Sequence, residues 1–288
     1  MKDLINFKKQ RELGDILTDT FAFIRSEWKA LFGMIFKLAG PALVIVLIAY
    51  IYYMQTTLGS MGTADFLGSG VFTFSFAIAL FILLIAGIVY NSFLYGTVIS
   101  YIKSYIKNEG EINKDEISSE VKKNFLGLLG ISILAGLMVG VGVIFCFIPG
   151  IYLAVALSTV YCIYIFEGKD VIESISYCFN LIKENWWMTF ITLFVMGLIY
   201  YFVLIVFQIP QYIYFFIKAL TSAQTSSVDP ADMFDWVYVA LSTIGIIAQY
   251  LLLTIMVICT VFVYFNLNEK KNFTGTMETI ESLGDSQE

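Results

Sequence analysis

Apolar residues run in long blocks, separated by short charged segments whose apolar positions recur at helical spacing. The most informative block is residues 124–166, which carries no charged side chain. It is longer than the roughly 20 residues that cross a bilayer, so the pattern predicts two spans folded back on each other. Pro149-Gly150 is the predicted turn, because proline fixes φ and lacks an N–H while glycine accepts turn geometry. This makes Leu126–Ile148 span 3 and Ile151–Phe166 span 4. Elsewhere the pattern predicts span 1 over Leu38–Met54 and span 2 over Val71–Tyr95, the latter continuing as helix to Lys107. Span 5 runs from Trp186 to Phe207 and span 6 from Trp236 to Phe265. Pro41 is expected to kink span 1. Pro210 is expected to break span 5 and leave Gln211–Leu220 as a segment on the outer interface. Residues 57–70 and 221–235 read as polar outer loops, and 271–288 as a disordered acidic tail.

Three amphipathic segments precede the odd-numbered spans. In the first, Leu13, Ile16, Leu17, Phe21, Ile24, Trp28 and Leu31 fall on one helical face. The second is Ile112–Lys123. The third carries Val171, Ile175, Cys178, Phe179 and Ile182 on one face. Each is expected to lie along the membrane interface. The junctions read Arg25-Ser26-Glu27-Trp28, Lys122-Lys123-Asn124-Phe125 and Lys183-Glu184-Asn185-Trp186, so Trp28, Phe125, Trp186 and Trp187 are the expected interface anchors. The even spans end at Glu109-Gly110 and Glu167-Gly168, with Asn268-Glu269-Lys270 as a poorer third copy. The expectation is one six-span domain over 1–270, built from units at about 10–109, 110–168 and 169–270. One irregular bundle is the alternative. Gly136 and Gly140 form a GxxxG pair, expected to let spans approach closely within the chain, with a dimer interface as the other use.

Composition fixes the class. Of 288 residues, 59% are hydrophobic and 14% charged, which places the chain among all-α polytopic membrane proteins. A net charge of −6 argues against nucleic acid as a partner, since that would need a basic patch. Of the 17 Lys and Arg, all but Lys218 group on one side of the predicted topology. By the positive-inside rule both termini are expected in the cytoplasm. Residues 1–9 read as a basic lead, and no signal-peptide pattern opens the chain.

Candidate chemistry is sparse. There is no histidine, so the commonest general base and metal ligand is missing. Cys146, Cys162, Cys178 and Cys259 sit singly in apolar stretches and read as inert packing. No Asp, Glu, Lys or Arg lies inside a predicted span, which weakens any ion-coupled transport. The neutral polar groups within spans are Asn91, Ser92, Ser158, Thr159, Gln208, Gln211 and Gln249. They read either as interhelical hydrogen bonds or as the lining of a groove, in which Asn91, Ser92, Gln208, Gln211 and Gln249 would take part and the Pro210 break would form an outer gate. The carboxylates Asp15, Asp19, Glu116, Glu120, Asp170 and Glu173 read as solvated faces. Short basic runs mixed with acids argue against dedicated anionic-lipid recruitment. No phosphate-binding, zinc-protease or hydrolase motif occurs, so neither catalysis nor a cofactor or metal is expected.

Pro149-Gly150-Ile151-Tyr152-Leu153-Ala154, then a short span, Glu167-Gly168, an amphipathic helix and Asn185-Trp186-Trp187, resemble the six-span membrane domain fused to some bacterial glycerophosphoryl diester phosphodiesterases. Related stand-alone integral membrane proteins share that layout. The likeness covers about residues 140–200 closely and the rest by layout. It implies the fold and a bacterial cytoplasmic (inner) membrane. It does not imply phosphodiesterase activity, whose histidines and carboxylate metal site have no counterpart here. The expected role is non-enzymatic: a scaffold, assembly or modulatory subunit in contact with the bilayer and other membrane proteins, of unspecified oligomeric state. The alternative is a lipid-handling or small-solute transporter without ion coupling.

Overall fold

The computed structural model describes residues 4–61, 74–222, 234–275 and 277, with the side chains of 58–61 and 222 left aside. Most of the two predicted outer loops and of the acidic tail lies outside these residues, as does the predicted start of span 2. The described elements are α1 (Leu13–Leu38), α2 (Gly40–Met61), α3 (Phe74–Lys107), α4 (Lys114–Phe145), α5 (Phe147–Ala156), α6 (Val160–Glu167), α7 (Val171–Ile182), α8 (Trp186–Ser222) and α9 (Trp236–Asn272). A short 3-10 turn, Leu157–Thr159, joins α5 to α6. Among the described residues, six stretches are long and apolar enough to cross a membrane: α2, α3, α4, α5 with α6, α8 and α9. The protein is therefore an all-α, multi-pass membrane protein.

The chain divides into two compact units, and α3, α8 and α9 contribute residues to both. The first unit comprises Met1–Ala39, Asn91–Leu198 and Thr254–Glu288. Its centre is aromatic. Phe7 stacks on Phe262 at 4.6 Å and meets Phe23 edge-on at 5.4 Å, while Phe23 meets Tyr105 at 5.4 Å. Offset and edge-to-face pairs of this kind add to plain burial. Phe7, in the predicted basic lead, is thus a core residue. Arg11 is held beside it. Its backbone N–H donates to Asn266 Oδ1 at 2.8 Å, and its guanidinium bonds Asp19 at 2.8 Å and lies 4.8 Å from the Phe262 ring centre. Burial pushes the Arg11 guanidinium below its ordinary value, and Asp19 opposes the shift.

The buried stripe of α1 is Ile16, Thr20, Phe23, Glu27, Leu31 and Met34, rotated from the predicted face, so that Phe21 and Trp28 are exposed. Two polar residues can occupy that stripe because both are bonded. Thr20 donates to the Ile16 carbonyl at 2.7 Å, and Tyr101 donates to Glu27 at 2.9 Å.

Hairpin geometry differs from expectation. Helix α4 ends at Phe145, and the turn is Cys146, which is extended at φ −166° and ψ 135°. Pro149 instead sits in the first turn of α5, where a missing N–H costs nothing. Gly150 is buried against α4: a Cβ there would lie 2.8 Å from Val143 N and 2.9 Å from Val143 Cα. A Cβ at Gly142 would lie 3.1 Å from Gly150 Cα. The close crossing is therefore Gly142 on Gly150. At Gly136 and Gly140 a Cβ would meet nothing within 4 Å, so that GxxxG pair makes no tight contact in the described chain.

The three leading segments join their spans differently. Helix α1 stops before Gly40-Pro41, so Pro41 opens a new helix rather than kinking one. The second segment continues straight into span 3 as α4. Helix α7 is separate, N-capped by Asp170, whose Oδ1 accepts from Glu173 N at 2.8 Å. Helices α3 and α6 end at the predicted signals, Glu109-Gly110 and Glu167-Gly168, with Gly110 at φ +92° and Gly168 at φ +66°, where glycine is unstrained.

The second unit comprises Gly40–Tyr90 and Ile199–Leu253. Here Pro210 lies inside α8, which runs unbroken for 37 residues. A proline is tolerated within a membrane helix when neighbouring groups satisfy the freed carbonyl. The expected interfacial segment 211–220 is simply more of α8. Tyr90 lies edge-on to Tyr250 at 4.9 Å and donates to its carbonyl at 2.9 Å.

Candidate functional site

Each neutral polar group predicted within a span can now be placed. Ser92 on α3 is buried, with its Oγ 2.8 Å from Ser132 Oγ on α4. Ser132 lies in turn 2.9 Å from Tyr161 OH and donates to the Leu128 carbonyl. Asn91 is half-buried in the same unit. Ser158 donates back to the Val155 carbonyl at 2.8 Å, and buried Thr159 donates weakly to Cys178 Sγ at 3.8 Å. Gln208, Gln211 and Gln249 belong to the other unit. Gln211 donates to Tyr238 OH at 2.8 Å, and Gln208 accepts from Tyr212 OH at 2.6 Å. Gly245 of α9 sits against both, a Cβ there being 3.4 Å from Gln208 Cγ and 3.8 Å from Gln211 Oε1. Gln249 follows one helical turn later, and its backbone carbonyl accepts from Tyr200 OH. The structure thus brings Gln208 and Gln211 together along the α8–α9 seam. The Pro210 gate has no break to act through, because α8 continues past it.

A hollow in the first unit lies where the charged turns of α3 and α4 meet the α6–α7 connection. It measures about 820 Å³. Helical spacing places its charges: Lys103 and Lys107 are one turn apart on α3, and Glu116, Glu120 and Lys123 recur along one side of α4. The helices zip at 2.6 Å twice, Lys103 to Glu120 and Lys107 to Glu116. Lys103 also donates to the Ile165 carbonyl at 2.8 Å, near the end of α6. Exposed and partly exposed pairs of this kind add little to stability. Their role is registry: they hold α3, α4 and α6 around the cleft.

On the opposite rim Lys169 pairs with Glu167, which also accepts from Tyr264 OH at 3.1 Å. The hydrogen bond from Lys169 to Glu167 raises the ammonium above its ordinary value. Lys169 further lies 4.5 Å over the Tyr177 ring. Asp170, Asn124 and Tyr164 complete the wall. The cleft offers both signs of charge in a fixed pattern. It presents no activated nucleophile, and no cluster of three potential metal ligands occurs among the described residues. The four cysteines are free. Burial pushes the Cys178 thiol up to about 12, which keeps it protonated and unreactive.

The cleft and the Phe7 core were both missed by sequence reasoning. The signal for the cleft was present in the matching i, i+4 charge spacings of 103–107 and 116–120. The predicted interface anchors behave variously. Trp28 and Trp187 are exposed, Trp186 stacks on Tyr152 at 5.6 Å, and Phe125 stacks on Phe93 at 4.4 Å. Comparison with protein-family models, curated proteins and solved structures finds no match to this chain.

Proposed function

We propose that this is a non-enzymatic protein of the bacterial cytoplasmic membrane, with both termini in the cytoplasm, that serves as a scaffold, assembly or modulatory subunit of a membrane complex. The cleft between α3, α4 and the α6–α7 connection is its docking surface. One observation carries the reading: a hollow of about 820 Å³ opens among paired charges at one end of the helices, while Ser92, Gln208 and Gln211 are engaged in contacts between or within helices. A partner segment bearing both charge signs can exchange ion pairs with Lys103–Glu120 and Lys107–Glu116, and Lys123 adds a cation with no ion pair of its own among the described residues.

The test is affinity isolation from native membranes in mild detergent, comparing the wild type with a Lys107→Glu/Lys123→Glu variant. A stoichiometric membrane protein retained by the wild type and lost from the variant supports docking. Solute or lipid movement by the purified protein alone in liposomes, abolished by Gln249→Leu, overturns the reading in favour of transport without ion coupling.

A further inference from the structure

A second hollow in the first unit has a different charge balance. It measures about 340 Å³ and lies between the α7–α8 turn and the last turn of α9. Lys183, Lys270 and Lys271 line it, with Asn180 and Asn185, and Glu184 is its one acid. In the larger cleft Lys103, Lys107 and Lys169 are each matched by a carboxylate. Here the three lysines have no described carboxylate partner. Lys271 is fixed by two bonds to Asn180, to the carbonyl at 3.0 Å and to Oδ1 at 2.8 Å. Those bonds position the ammonium without neutralising it. Lys183 is exposed and Lys270 half-buried.

Its location narrows what the charge can meet. The hollow adjoins the start of α8, where Asn185 precedes Trp186-Trp187 and Trp187 is 70% exposed. Tryptophans at the end of an apolar span sit at headgroup level. The positive end of α8 adds to the lysine field there, though the lysines dominate it. Basic pockets between membrane helices at this depth are suited to phosphate headgroups. In sequence, Lys183 and Lys270-Lys271 are far apart and read as short mixed runs. Folding is what concentrates them.

We infer that the Lys183–Lys270–Lys271 hollow binds a phosphate group, either the headgroup of an anionic phospholipid or a free phosphate. The inference stands apart from the docking cleft, with which it shares no lining residue.

The test uses the full chain in nanodiscs or neutral detergent, with native mass spectrometry to count retained lipids. The probes are phosphatidylglycerol, phosphatidylcholine and inorganic phosphate. The wild type is expected to retain phosphatidylglycerol over phosphatidylcholine, and to lose that preference as salt is raised. A Lys183→Gln/Lys270→Gln variant should bind phosphatidylglycerol about thirtyfold more weakly, the factor that two lysines supply at an anionic surface. Lys107→Gln/Lys123→Gln, in the other cleft, should match the wild type. Displacement of the lipid by millimolar inorganic phosphate would assign the site to a free phosphate, and no displacement would assign it to the headgroup. Equal phosphatidylglycerol retention by wild type and the Lys183/Lys270 variant, with both correctly folded by circular dichroism, would overturn the inference. So would equal retention of phosphatidylcholine.

Discussion

Replacing Gly150 with alanine adds one methyl group where there is no room. The new Cβ would sit 2.4 Å from Val143 Cγ2, 2.8 Å from Val143 N and 2.9 Å from Val143 Cα. The first clash could be relieved by turning the valine. The other two are with backbone, so α5 must move off α4. Overpacking of this kind costs about 1–3 kcal/mol. Alanine's better helix propensity returns about 0.5–1 kcal/mol, leaving a net loss of up to about 2.5 kcal/mol. The matched controls are Gly136→Ala and Gly140→Ala, where the added Cβ meets nothing within 4 Å. These should be neutral or stabilising by up to about 1 kcal/mol, since alanine is the better helix former. The assay is thermal unfolding of the purified protein in one detergent, followed by tryptophan fluorescence and by loss of the monodisperse peak. Gly150→Ala should unfold several degrees below both controls, at the scale of about 2–4 °C per kcal/mol known for chains of 150–250 residues. Equal midpoints for all three would refute the close-crossing argument. Damage at Gly136 or Gly140 alone would show that those glycines serve a contact between copies.

Phe7→Ala removes a ring packed on Phe262 and Phe23 and should cost about 3–5 kcal/mol, read as faster tryptic cleavage at Lys8 and Lys9 while the helical circular dichroism persists. Asp235 accepts from Tyr214, Lys218 and the Val237 and Tyr238 N–H groups, the Tyr214 bond contributing most, and its carboxyl is pushed down to about 2 from an ordinary 3.8. A depressed carboxylate stabilises above its ordinary value and loses that contribution as pH falls toward the depressed one. Hydrogen-exchange protection of the first turn of α9 should therefore decline between about pH 4 and 2, and Asp235→Asn should flatten that decline. Lys103→Gln and Glu120→Gln should each cost no more than about 1 kcal/mol, and their coupling in a double-mutant cycle should shrink in high salt, as measured by thermal midpoints.

Most of the architecture was legible because the bilayer simplifies the code: length and absence of charge define a span almost unaided. The Glu-Gly signals ending α3 and α6 were read correctly because a positive φ leaves few residue choices. Errors clustered at prolines and glycines. In water Pro210 would break the helix, yet in lipid a helix that stopped there would leave its backbone groups unsatisfied. Pro149-Gly150 was taken as the turn because both residues favour turns, but Gly150 is demanded by proximity to Val143 and Pro149 only tolerates its place in a first helical turn. Gly136 and Gly140 had the right spacing and nothing opposite them. Spacing describes one helix, whereas closeness belongs to two. Phe7 was hidden for the same reason: the ring it stacks on, Phe262, is 255 residues away.

That distance bears on how the chain is made. The Arg11 N–H donates to Asn266 across 255 positions, and the Phe7 ring rests on Phe262. A ribosome delivers Phe7 and Arg11 well before α9, so the opening segment lacks the Phe262 and Asn266 side of its seat until the sixth span has been inserted. Its docking is a completion mark: a nascent chain stalled or cut before α9 displays the Phe7 face that Phe262 covers and an Arg11 N–H without its Asn266 acceptor, the kind of exposed surface on which membrane quality-control proteases act.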